Sequence, residues 1–570
     1  MPKDTDLSWY RWAGNQKLLF SVSSLKNYSG QRAGNTEFRQ TELYVIDIAT
    51  RKTRYLGLKK AGPDGDNVIH VDRDGRFLLL SARQSVYKYP EIFRIDMDTN
   101  ESELVLKEQL KVWDWIADND GVVRVGISYR GKTVHVFYRS QDNQKFRRIG
   151  KIKANDDEEE QEQSLFDITH IISGSDSGYI LSNKETGRFA LYKFNFLTKE
   201  IGEKIFDHSR NDIISYSLDD DGKVLESVRY TDSRDRIKWF NPQLAKQQAR
   251  LNRALPGDEV WITSKTRDNS KMIIYSTSST DPGSYYLYEP KAKRMDRFAG
   301  INDRLDPQQL SKVSYESYTA RDGTPIPSYL TVPKGKEAKN LPLIVMPHGG
   351  PFGIRDTMDY NIDVQFLANR GYAVLQPNFR GSGSYGEDYY KLGEGQIGRR
   401  MQDDLDDGVE WLVKRGLVDP ARVCLVGSSY GGYAALWGVT RNPEKYRCAA
   451  SFAGVTDWNK QLRYDRRFLS SRYSRKWKEQ IRGEDNFDLD DVSPVRLVDQ
   501  LKRPVLLVHG KKDSNVPYSQ FTLYKQKLED RNSDAVFVTY EDEGHGLSDK
   551  KNRQDWLNQL EKFLAKHNPA

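Results

Sequence analysis

The sequence predicts an N-terminal all-β propeller followed by a C-terminal doubly wound α/β domain with a mostly parallel sheet. Up to about residue 300, short aromatic and β-branched runs alternate with polar turns, and one pattern recurs at a regular interval. From about Tyr315, apolar runs alternate instead with amphipathic stretches. Because the two periodicities do not overlap, we divide the chain into a propeller domain at residues 1–305 and an α/β domain at residues 306–570.

The recurring unit of the first domain contains a polar turn, a strand, a second and aromatic-rich strand, a polar hairpin and a last strand. The second strand occurs six times, and its copies lie 42 to 57 residues apart, beginning at Leu43, Ile92, Val134, Leu191, Ile237 and Leu287. Repeated four-stranded units of this length are typical of propeller blades. A β-sandwich, or several small β domains, would not require such a regular interval. The acidic run at residues 156–160 lies in the longest interval and indicates a solvated loop within one blade.

The second domain contains six apolar runs that read as buried parallel strands. These runs begin at Leu341, Tyr372, Arg422, Cys448, Pro504 and Ala535. Amphipathic helices lie between them, one with Met401, Leu405, Val409 and Leu412 at helical spacing, and the last with Trp556, Leu560, Phe563 and Leu564. Alternation of strand and helix predicts a doubly wound sheet, in which functional groups gather at the carboxyl ends of the strands.

The segment Gly427-Ser428-Ser429-Tyr430-Gly431 matches the G-x-S-x-G pattern. It follows an apolar strand and precedes a helix, which is the context that this pattern requires in an α/β-hydrolase. The glycines permit a tight turn in which Cβ atoms would clash. We therefore predict that Ser429 is the nucleophile of a serine hydrolase.

A serine hydroxyl needs a base that takes its proton, and in α/β-hydrolases the acid and then the histidine follow the serine along the chain. His545 lies in a short glycine-flanked loop after the last predicted strand, so we predict that it is the base. Asp513 is the carboxylate of the loop after the preceding strand and would orient the imidazole. We interpret His509, at a strand end, as structural, and His567 as part of the C-terminal tail.

The tetrahedral intermediate of acyl transfer carries a negative oxygen that needs preorganised donors. One donor is expected to be the backbone N–H of Tyr430, the residue after the nucleophile. The loop His348-Gly349-Gly350-Pro351 follows the strand that begins at Leu341 and has the H-G-G pattern of hydrolases. We predict that Gly350 supplies the second backbone N–H.

The composition excludes several other classes of function. The net charge of +7 is small for this length and the basic residues are dispersed, so we expect no nucleic-acid partner. No apolar run of about 18 residues exists, and we expect no membrane partner. There is no H-E-x-x-H zinc pattern and no phosphate-binding loop, so neither a metal nor a cofactor is expected. The two cysteines are expected to be buried free thiols. No signal peptide is visible, which favours the cytoplasm.

Five motifs carry a resemblance to a known family: H-G-G-P at His348, N-F-R-G-S-G-S-Y-G at Asn378, G-S-S-Y-G-G at Gly427, H-G-K-K-D-S-N-V-P at His509 and E-G-H-G at Glu543. With the preceding propeller, the chain resembles the prolyl oligopeptidase family of serine peptidases, nearest its acylaminoacyl-peptidase and dipeptidyl-peptidase branches. The resemblance is specific over the C-terminal 260 or so residues. It implies cleavage of short peptides, with the propeller gating access to the active site.

The resemblance also implies a set of substrate-binding residues. Tyr430 and Trp458 match positions that line the pocket for the substrate side chain before the scissile bond, with Val455 and Val516 beside them. Asn515 matches an asparagine that binds a substrate carbonyl. The W-S-Y-G-G pattern of dipeptidyl peptidases is absent, because Ser428 replaces its tryptophan, and no paired glutamates can be placed. Aminopeptidase specificity therefore stays open.

Members of this family usually have seven blades, so we expect a seventh blade in the full protein and a first blade missing from this chain. A signal peptide lost with it would change the expected location to the periplasm or the outside of the cell. Three functions remain in competition: a peptidase on short peptides, an esterase that uses the same triad on small acyl esters, and a propeller scaffold with an inactive hydrolase domain. The oligomeric state, including a homo-oligomer, stays open.

Overall fold

The structure, a computed structural model, describes residues 5–30, 34–58, 64–85, 88–130, 133–153, 171–469, 471–531 and 534–570. The acidic run at residues 156–160, predicted to be a loop, lies outside these ranges. None of the helices in the described part of the chain combines the length and the apolar character of a membrane span.

The N-terminal region forms the six blades of a β-propeller, as the sequence predicts. The first blade contains β1 (Asp6–Ala13), β2 (Lys17–Gly30), β3 (Gly34–Asp47) and β4 (Thr53–Leu56), with β5 (Asp64–Gly65) beside β3. The second contains β6 (Val68–Val71), β7 (Phe77–Ala82), β8 (Glu91–Asp96) and β9 (Ser102–Leu106). The third contains β10 (Val112–Ala117), β11 (Val123–Arg130), β12 (Thr133–Tyr138) and β13 (Arg147–Lys153).

The remaining three blades follow in chain order. The fourth contains β14 (Ser177–Ser182), β15 (Ala190–Asn195) and β16 (Ile201–Phe206), and the fifth β17 (Ile213–Leu218), β18 (Leu225–Thr231) and β19 (Asp235–Trp239). The sixth contains β20 (Glu259–Lys265), β21 (Met272–Ser278), β22 (Asp281–Glu289) and β23 (Arg294–Gly300). Apart from β5, strands that are consecutive in the chain are neighbours within each of these sheets, which is the arrangement that a repeated unit predicts.

The chain separates into two compact units. The first consists of Met1–Lys184, Ala190–Asp207 and Tyr216–Ser227, and the second of Glu185–Phe189, His208–Ser215 and Val228–Ala570. In the first unit, strand β7 illustrates how a blade is buried on both faces. Leu78 and Leu80 pack in one apolar cluster with residues of the first blade, whereas Leu79 packs in another with residues of the third. Alternate side chains of a strand point to opposite faces, so one strand contributes to two cores.

The fifth blade departs from the repeating unit that the sequence predicts. After β19 the chain forms a helix, α1 (Pro242–Ala254), where the pattern predicts a hairpin and a last strand. The side chain of Asn241 accepts hydrogen bonds from the first turn, and Pro242 occupies the first helical position. Leu244 and Leu251 are buried on one helix face. The helix signal is therefore local and could be read from the sequence.

The C-terminal domain is built on one sheet of eight strands in the order β24-β25-β27-β26-β28-β29-β30-β31. The strands are β24 (Val313–Thr319), β25 (Pro325–Thr331), β26 (Leu341–Val345), β27 (Ala373–Pro377), β28 (Val418–Ser428), β29 (Cys448–Phe452), β30 (Val505–Gly510) and β31 (Ala535–Tyr540). From β27 to β31 all neighbouring strands are parallel, whereas β24 and β25 pair antiparallel. All six predicted strands are present.

Helices cover both faces of this sheet. They are α2 (Ile362–Asn369), α3 (Glu387–Lys391), α4 (Arg400–Lys414), α5 (Tyr430–Arg441), α6 (Trp458–Asp465), α7 (Ser471–Arg482), α8 (Ser519–Glu529) and α9 (Lys550–His567). One apolar core contains residues of α4, α5 and α8, and a second contains residues of α2 and α9. In β28, Leu425 belongs to the first core and Val426 to the second, so the strand is buried on both faces. The prediction of a doubly wound sheet is confirmed.

The prediction of two free thiols is wrong. Cys424 and Cys448 face each other on the neighbouring parallel strands β28 and β29, and they form a disulfide bond. Each side chain lies in the core that α2 and α9 cover. The pairing could not be read from the sequence, because it depends on which two strands become neighbours and in what register.

Candidate active site

The predicted functional residues all follow strands of the parallel part of the sheet. Gly350 follows β26, Ser429 follows β28, Trp458 follows β29, Asp513 follows β30 and His545 follows β31. Because these strands are parallel, their carboxyl ends lie at one edge of the sheet. Ligands bind at this edge in open α/β sheets.

Ser429 lies on a tight turn between β28 and α5. Its backbone has φ 58° and ψ −123°, a conformation that non-glycine residues rarely adopt. The backbone N–H of Ser429 donates to the carbonyl oxygen of Phe452 on the neighbouring strand, at 2.9 Å. The turn therefore holds Ser429 half-buried, immediately before the first residue of α5.

The glycines of the turn are required by close backbone contacts. A Cβ atom at Gly427 would lie 2.4 Å from the carbonyl oxygen of Gly431. A Cβ atom at Gly431 would lie 2.1 Å from the carbonyl oxygen of Pro347, in the loop after β26. The two glycines of the G-x-S-x-G pattern thus lie at positions where a backbone carbonyl group approaches too closely for a Cβ atom to fit.

Asp513 and His545 are hydrogen-bonded, with 2.8 Å between the carboxylate Oδ2 and the imidazole Nδ1. The Oδ1 atom of Asp513 accepts the backbone N–H groups of Asn515 and Val516, at 2.8 and 2.9 Å. Burial by itself raises the pKa of Asp513, but hydrogen bonds from His509 and His545 outweigh it and hold the pKa well below its usual range. The carboxylate is therefore ionised and fixed in orientation.

His509 has the structural position that we predict for it. Its Nε2 atom lies 2.9 Å from the carbonyl oxygen of Val516 and 3.4 Å from Oδ2 of Asp513. The ring is fully buried against Tyr518 and Phe521. His509 thus closes the loop that contains Asp513.

The loop after β26 is supported by a buried histidine. His348 Nε2 lies 2.8 Å from Ser382 Oγ, and the His348 ring stacks on Phe379 with 4.3 Å between the ring centres. Burial lowers the pKa of His348 to about 4, so the ring is neutral at neutral pH. Gly350 has φ 118°, which favours glycine. The H-G-G-P and N-F-R-G-S-G motifs are therefore parts of one packed unit.

A cavity of about 870 Å³ brings most of the predicted residues together. Its lining includes the predicted nucleophile, base, oxyanion donors and pocket residues: Ser429, His545, Gly350, Tyr430, Val455, Trp458, Asn515 and Val516. Asp513 does not line the cavity and reaches it through His545. Further lining residues that the sequence does not single out include Gln461, Asp465 and Trp477. In the described part of the chain, no cluster of three or more His, Cys, Asp or Glu side chains is placed to hold a metal ion.

Comparison with known proteins is consistent with this geometry. Residues 358–569 match the model of the prolyl oligopeptidase family. The chain is a serine-type peptidase with a prolyl oligopeptidase family domain.

Relatives of this peptidase include dipeptidyl aminopeptidase BIII of Pseudoxanthomonas mexicana, which is 27% identical over 94% of this chain and 78% of the relative. The acylamino-acid-releasing enzyme of Rattus norvegicus is 30% identical over 38% of this chain and 30% of the relative. The fold resembles that of a puromycin-hydrolysing peptidase of Mycobacterium tuberculosis, with a TM-score of 0.70 at 18% identity and coverage of 99% and 94% of the two chains.

Helix α6 of the peptidase domain connects the cavity wall to the loop of the predicted acid. Trp458, Gln461 and Asp465 are spaced three and four residues apart, which places them on one helix face. Gln461 Nε2 donates to the backbone carbonyl of Asn515 at 2.8 Å, and Tyr464 Oη donates to that of Ser514 at 3.0 Å. The spacing from Trp458 was the signal that could have identified Gln461 and Asp465.

Glu543 supports the loop of His545 in the peptidase domain. Its buried carboxylate accepts hydrogen bonds from the backbone N–H groups of Ser548 and Asp549, from Ser548 Oγ and from Asn552 Nδ2, all at 2.8 to 2.9 Å. Burial acts to raise the pKa of Glu543, but these hydrogen bonds lower it to about 2. The carboxylate therefore fixes the start of α9, and the predicted base, His545, lies two residues after Glu543 in the chain.

Proposed function

We propose that this peptidase hydrolyses short peptides through an acyl-enzyme on Ser429. The observation that carries the proposal is the hydrogen bond between His545 Nδ1 and Asp513 Oδ2, 2.8 Å long, next to the cavity that Ser429 also lines. With Nδ1 committed to the carboxylate, Nε2 is the imidazole nitrogen left to take a proton. This is the division of roles in a Ser-His-Asp triad.

In the proposed first half-reaction, Ser429 Oγ attacks the carbonyl carbon of the scissile bond while its proton passes to His545 Nε2. The carbonyl oxygen becomes an oxyanion, which accepts the backbone N–H groups of Tyr430 and Gly350. When the C–N bond breaks, His545 returns the proton to the leaving amine. The products are an ester on Ser429 and the free amine fragment.

In the second half-reaction, water attacks the ester as His545 takes one of its protons. The ester C–O bond breaks, the proton returns to Ser429 Oγ, and the acyl fragment leaves as a carboxylic acid. Asp513 stays ionised throughout and stabilises the imidazolium form of His545. The pKa of Asp513, held low by its hydrogen bonds, suits that role.

The class of peptide is part of the proposal. Trp458, Val455, Val516 and Tyr430 are buried apolar side chains that line the cavity, so we assign them to the substrate side chain before the scissile bond. Asn515 is exposed there and is assigned to a substrate carbonyl. The names of the relatives favour release of a dipeptide or an acylated amino acid. We further infer that the propeller gates access, so that folded proteins are excluded.

A fluorophosphonate probe should label the wild-type protein but not Ser429→Ala. A panel of peptide anilides, acyl-peptides and p-nitrophenyl esters should then separate the candidates. Cleavage of peptide anilides, with little turnover of casein, is the expected result. Turnover of esters alone would establish the esterase alternative instead, and absence of labelling would favour a scaffold with an inactive domain.

A further inference from the structure

Asp465 is an acidic group on the cavity wall whose hydrogen-bond partners are neutral. It is the last residue of α6 and is half-buried. Gln461 Nε2 donates to its Oδ1 atom at 2.7 Å, and Trp477 Nε1 donates to its Oδ2 atom at 2.9 Å. Each carboxylate oxygen keeps a further lone pair. The side chain is therefore held in one orientation without neutralisation of its charge.

Three buried carboxylates of the peptidase domain are each paired with an arginine, whereas buried Asp406 and Glu543 are held by neutral donors. Asp404 lies 2.6 Å from Arg380, Asp407 lies 2.7 Å from Arg321, and Asp457 lies 2.9 Å from Arg496. Within the described ranges, by contrast, no Lys, Arg or His nitrogen pairs with Asp465. Burial raises the pKa of Asp465, and the hydrogen bonds from Trp477 and Gln461 act against that rise.

Among the described residues, Lys476 is the lysine or arginine that lines the same cavity. It is exposed, and its charge acts on Glu394: burial raises the pKa of Glu394, and the charges of Lys391 and Lys476 oppose that rise. Asp465 in addition lies at the carboxyl end of a helix, where the helix dipole adds negative potential. The charge of Lys476 is thus directed to Glu394, and the helix dipole attracts positive charge to Asp465. We therefore expect a cation at Asp465 to come from outside the chain.

The surroundings of Asp465 suit an organic cation with an aliphatic stem. Trp477 and Tyr464 line the cavity next to it, and aromatic faces attract ammonium and guanidinium groups. Phe468 and Tyr473 also line the cavity and are 68% and 64% exposed, which leaves apolar surface open to a ligand. An inorganic cation would need several oxygen ligands, whereas a substrate cation needs one carboxylate and apolar walls.

We propose that Asp465 is a specificity-determining residue that binds a positively charged group of the substrate, an ammonium or a guanidinium. The proposal rests on the function proposed above, because the cavity is that of Ser429. Two parts of a peptide carry such a group: a Lys or Arg side chain, and a free N-terminus. Both would form a charge-assisted hydrogen bond with the open lone pairs of the carboxylate.

The test uses four peptide anilides that differ only in charge. Acetyl-Ala-Arg and acetyl-Ala-citrulline anilides form one pair, in which citrulline keeps the shape of arginine without its charge. Free and acetylated Ala-Ala anilides form the second pair. The wild type should prefer the charged member of one pair by about ten- to a hundredfold in kcat/KM. The pair that shows the preference identifies the source of the cation.

Asp465→Asn should remove that preference while the neutral member of the pair loses less than about threefold. Glu479→Gln is the matched control, because Glu479 is an exposed carboxylate of the neighbouring helix α7 that does not line the cavity. It should leave both pairs unchanged. Equal losses on charged and neutral substrates, or the same effect in Glu479→Gln, would overturn the proposal.

A second measurement needs no variant and is unaffected by a folding defect. Raising the salt concentration from about 0.05 to 0.5 M should lower kcat/KM of the wild type more for the charged substrate than for its neutral partner, because salt screens the charge pair. If the wild type cleaves both members of each pair equally, the role of Asp465 is contradicted but the peptidase function is not. A wild type that cleaves none of the four, though it turns over esters, contradicts the peptidase function and this inference with it.

Discussion

The Nδ1 atom of His545 lies 2.8 Å from the Oδ2 atom of Asp513, although the two residues follow different strands of the sheet. The other carboxylate oxygen is occupied by two backbone N–H groups, so the carboxylate cannot rotate freely. With Nδ1 bound to the carboxylate, Nε2 is the imidazole nitrogen that Asp513 leaves open.

Asp513→Asn should lower kcat by about 10³- to 10⁴-fold, because an amide no longer fixes the tautomer of His545 or stabilises its protonated form. The melting temperature should change much less than the rate. Asp542→Asn is the matched control, since Asp542 is 85% exposed in its side chain and pairs with Lys512 at the surface. A loss of less than tenfold in Asp513→Asn would argue that another group orients the base.

Glu543→Gln should reduce kcat with KM nearly unchanged. An amide can accept hydrogen bonds only through its oxygen, so some of the bonds that Glu543 accepts are lost and the loop of His545 loosens. The native state favours the ionised carboxylate, whose pKa is about 2. Its stabilisation is thus fully present above about pH 4.5 and is lost as the pH falls toward about 2. Urea unfolding of both proteins should give a difference of about 1–3 kcal/mol at neutral pH that shrinks in this acidic range.

Glu541→Gln serves as the control for that measurement. Glu541 is 73% exposed in its side chain and pairs with Lys511, so its removal should alter neither kcat nor the acid dependence. If both variants showed the same pH dependence, the difference would reflect net charge rather than the hydrogen bonds of Glu543.

Gly431→Ala should lower the free energy of unfolding by about 1–3 kcal/mol and reduce activity, because its Cβ would meet the carbonyl oxygen of Pro347 at 2.1 Å. Gly546→Ala is the matched control: it adjoins His545, and its Cβ would have no heavy atom within 4 Å. Thermal unfolding with probe labelling of Ser429 would measure both effects. Equal behaviour of the two variants would contradict the close contact between the turn and the loop after β26.

Glu259→Gln should stabilise the protein at alkaline pH. Burial first, and then the charges of Asp359 and Asp235, raise the pKa of Glu259 to about 8. Because the native state binds this proton more tightly than the unfolded chain, the wild type loses unfolding free energy as the pH rises from about 4.5 to about 8. The variant lacks this loss and should be more stable by roughly 2–4 kcal/mol above about pH 8. If the unfolding free energies of the wild type and the variant differed by the same amount at every pH in this range, a pKa of about 8 for Glu259 would be ruled out.

Much of the fold and of the candidate site could be predicted from the sequence, because both follow local patterns. The strand-like runs and the G-x-S-x-G turn are continuous segments of the chain, and the order of Ser429, Asp513 and His545 follows the order of the strands. Since parallel strands end at one edge, positions at strand ends are enough to predict that these residues approach each other.

Other features depend on contacts between distant segments, and only the tertiary structure decided them. The disulfide between Cys424 and Cys448 requires that β28 and β29 are neighbours in one register. Ser382 supports the His348 ring from a different loop of the chain. Trp477 on α7 orients Asp465 on α6, so this contact also joins two elements. Periodicity predicts which face of an element is buried, but side-chain partners across elements depend on packing in three dimensions. The spacing from Trp458 could have pointed to Asp465, but only the tertiary structure decided that its hydrogen-bond partners are neutral.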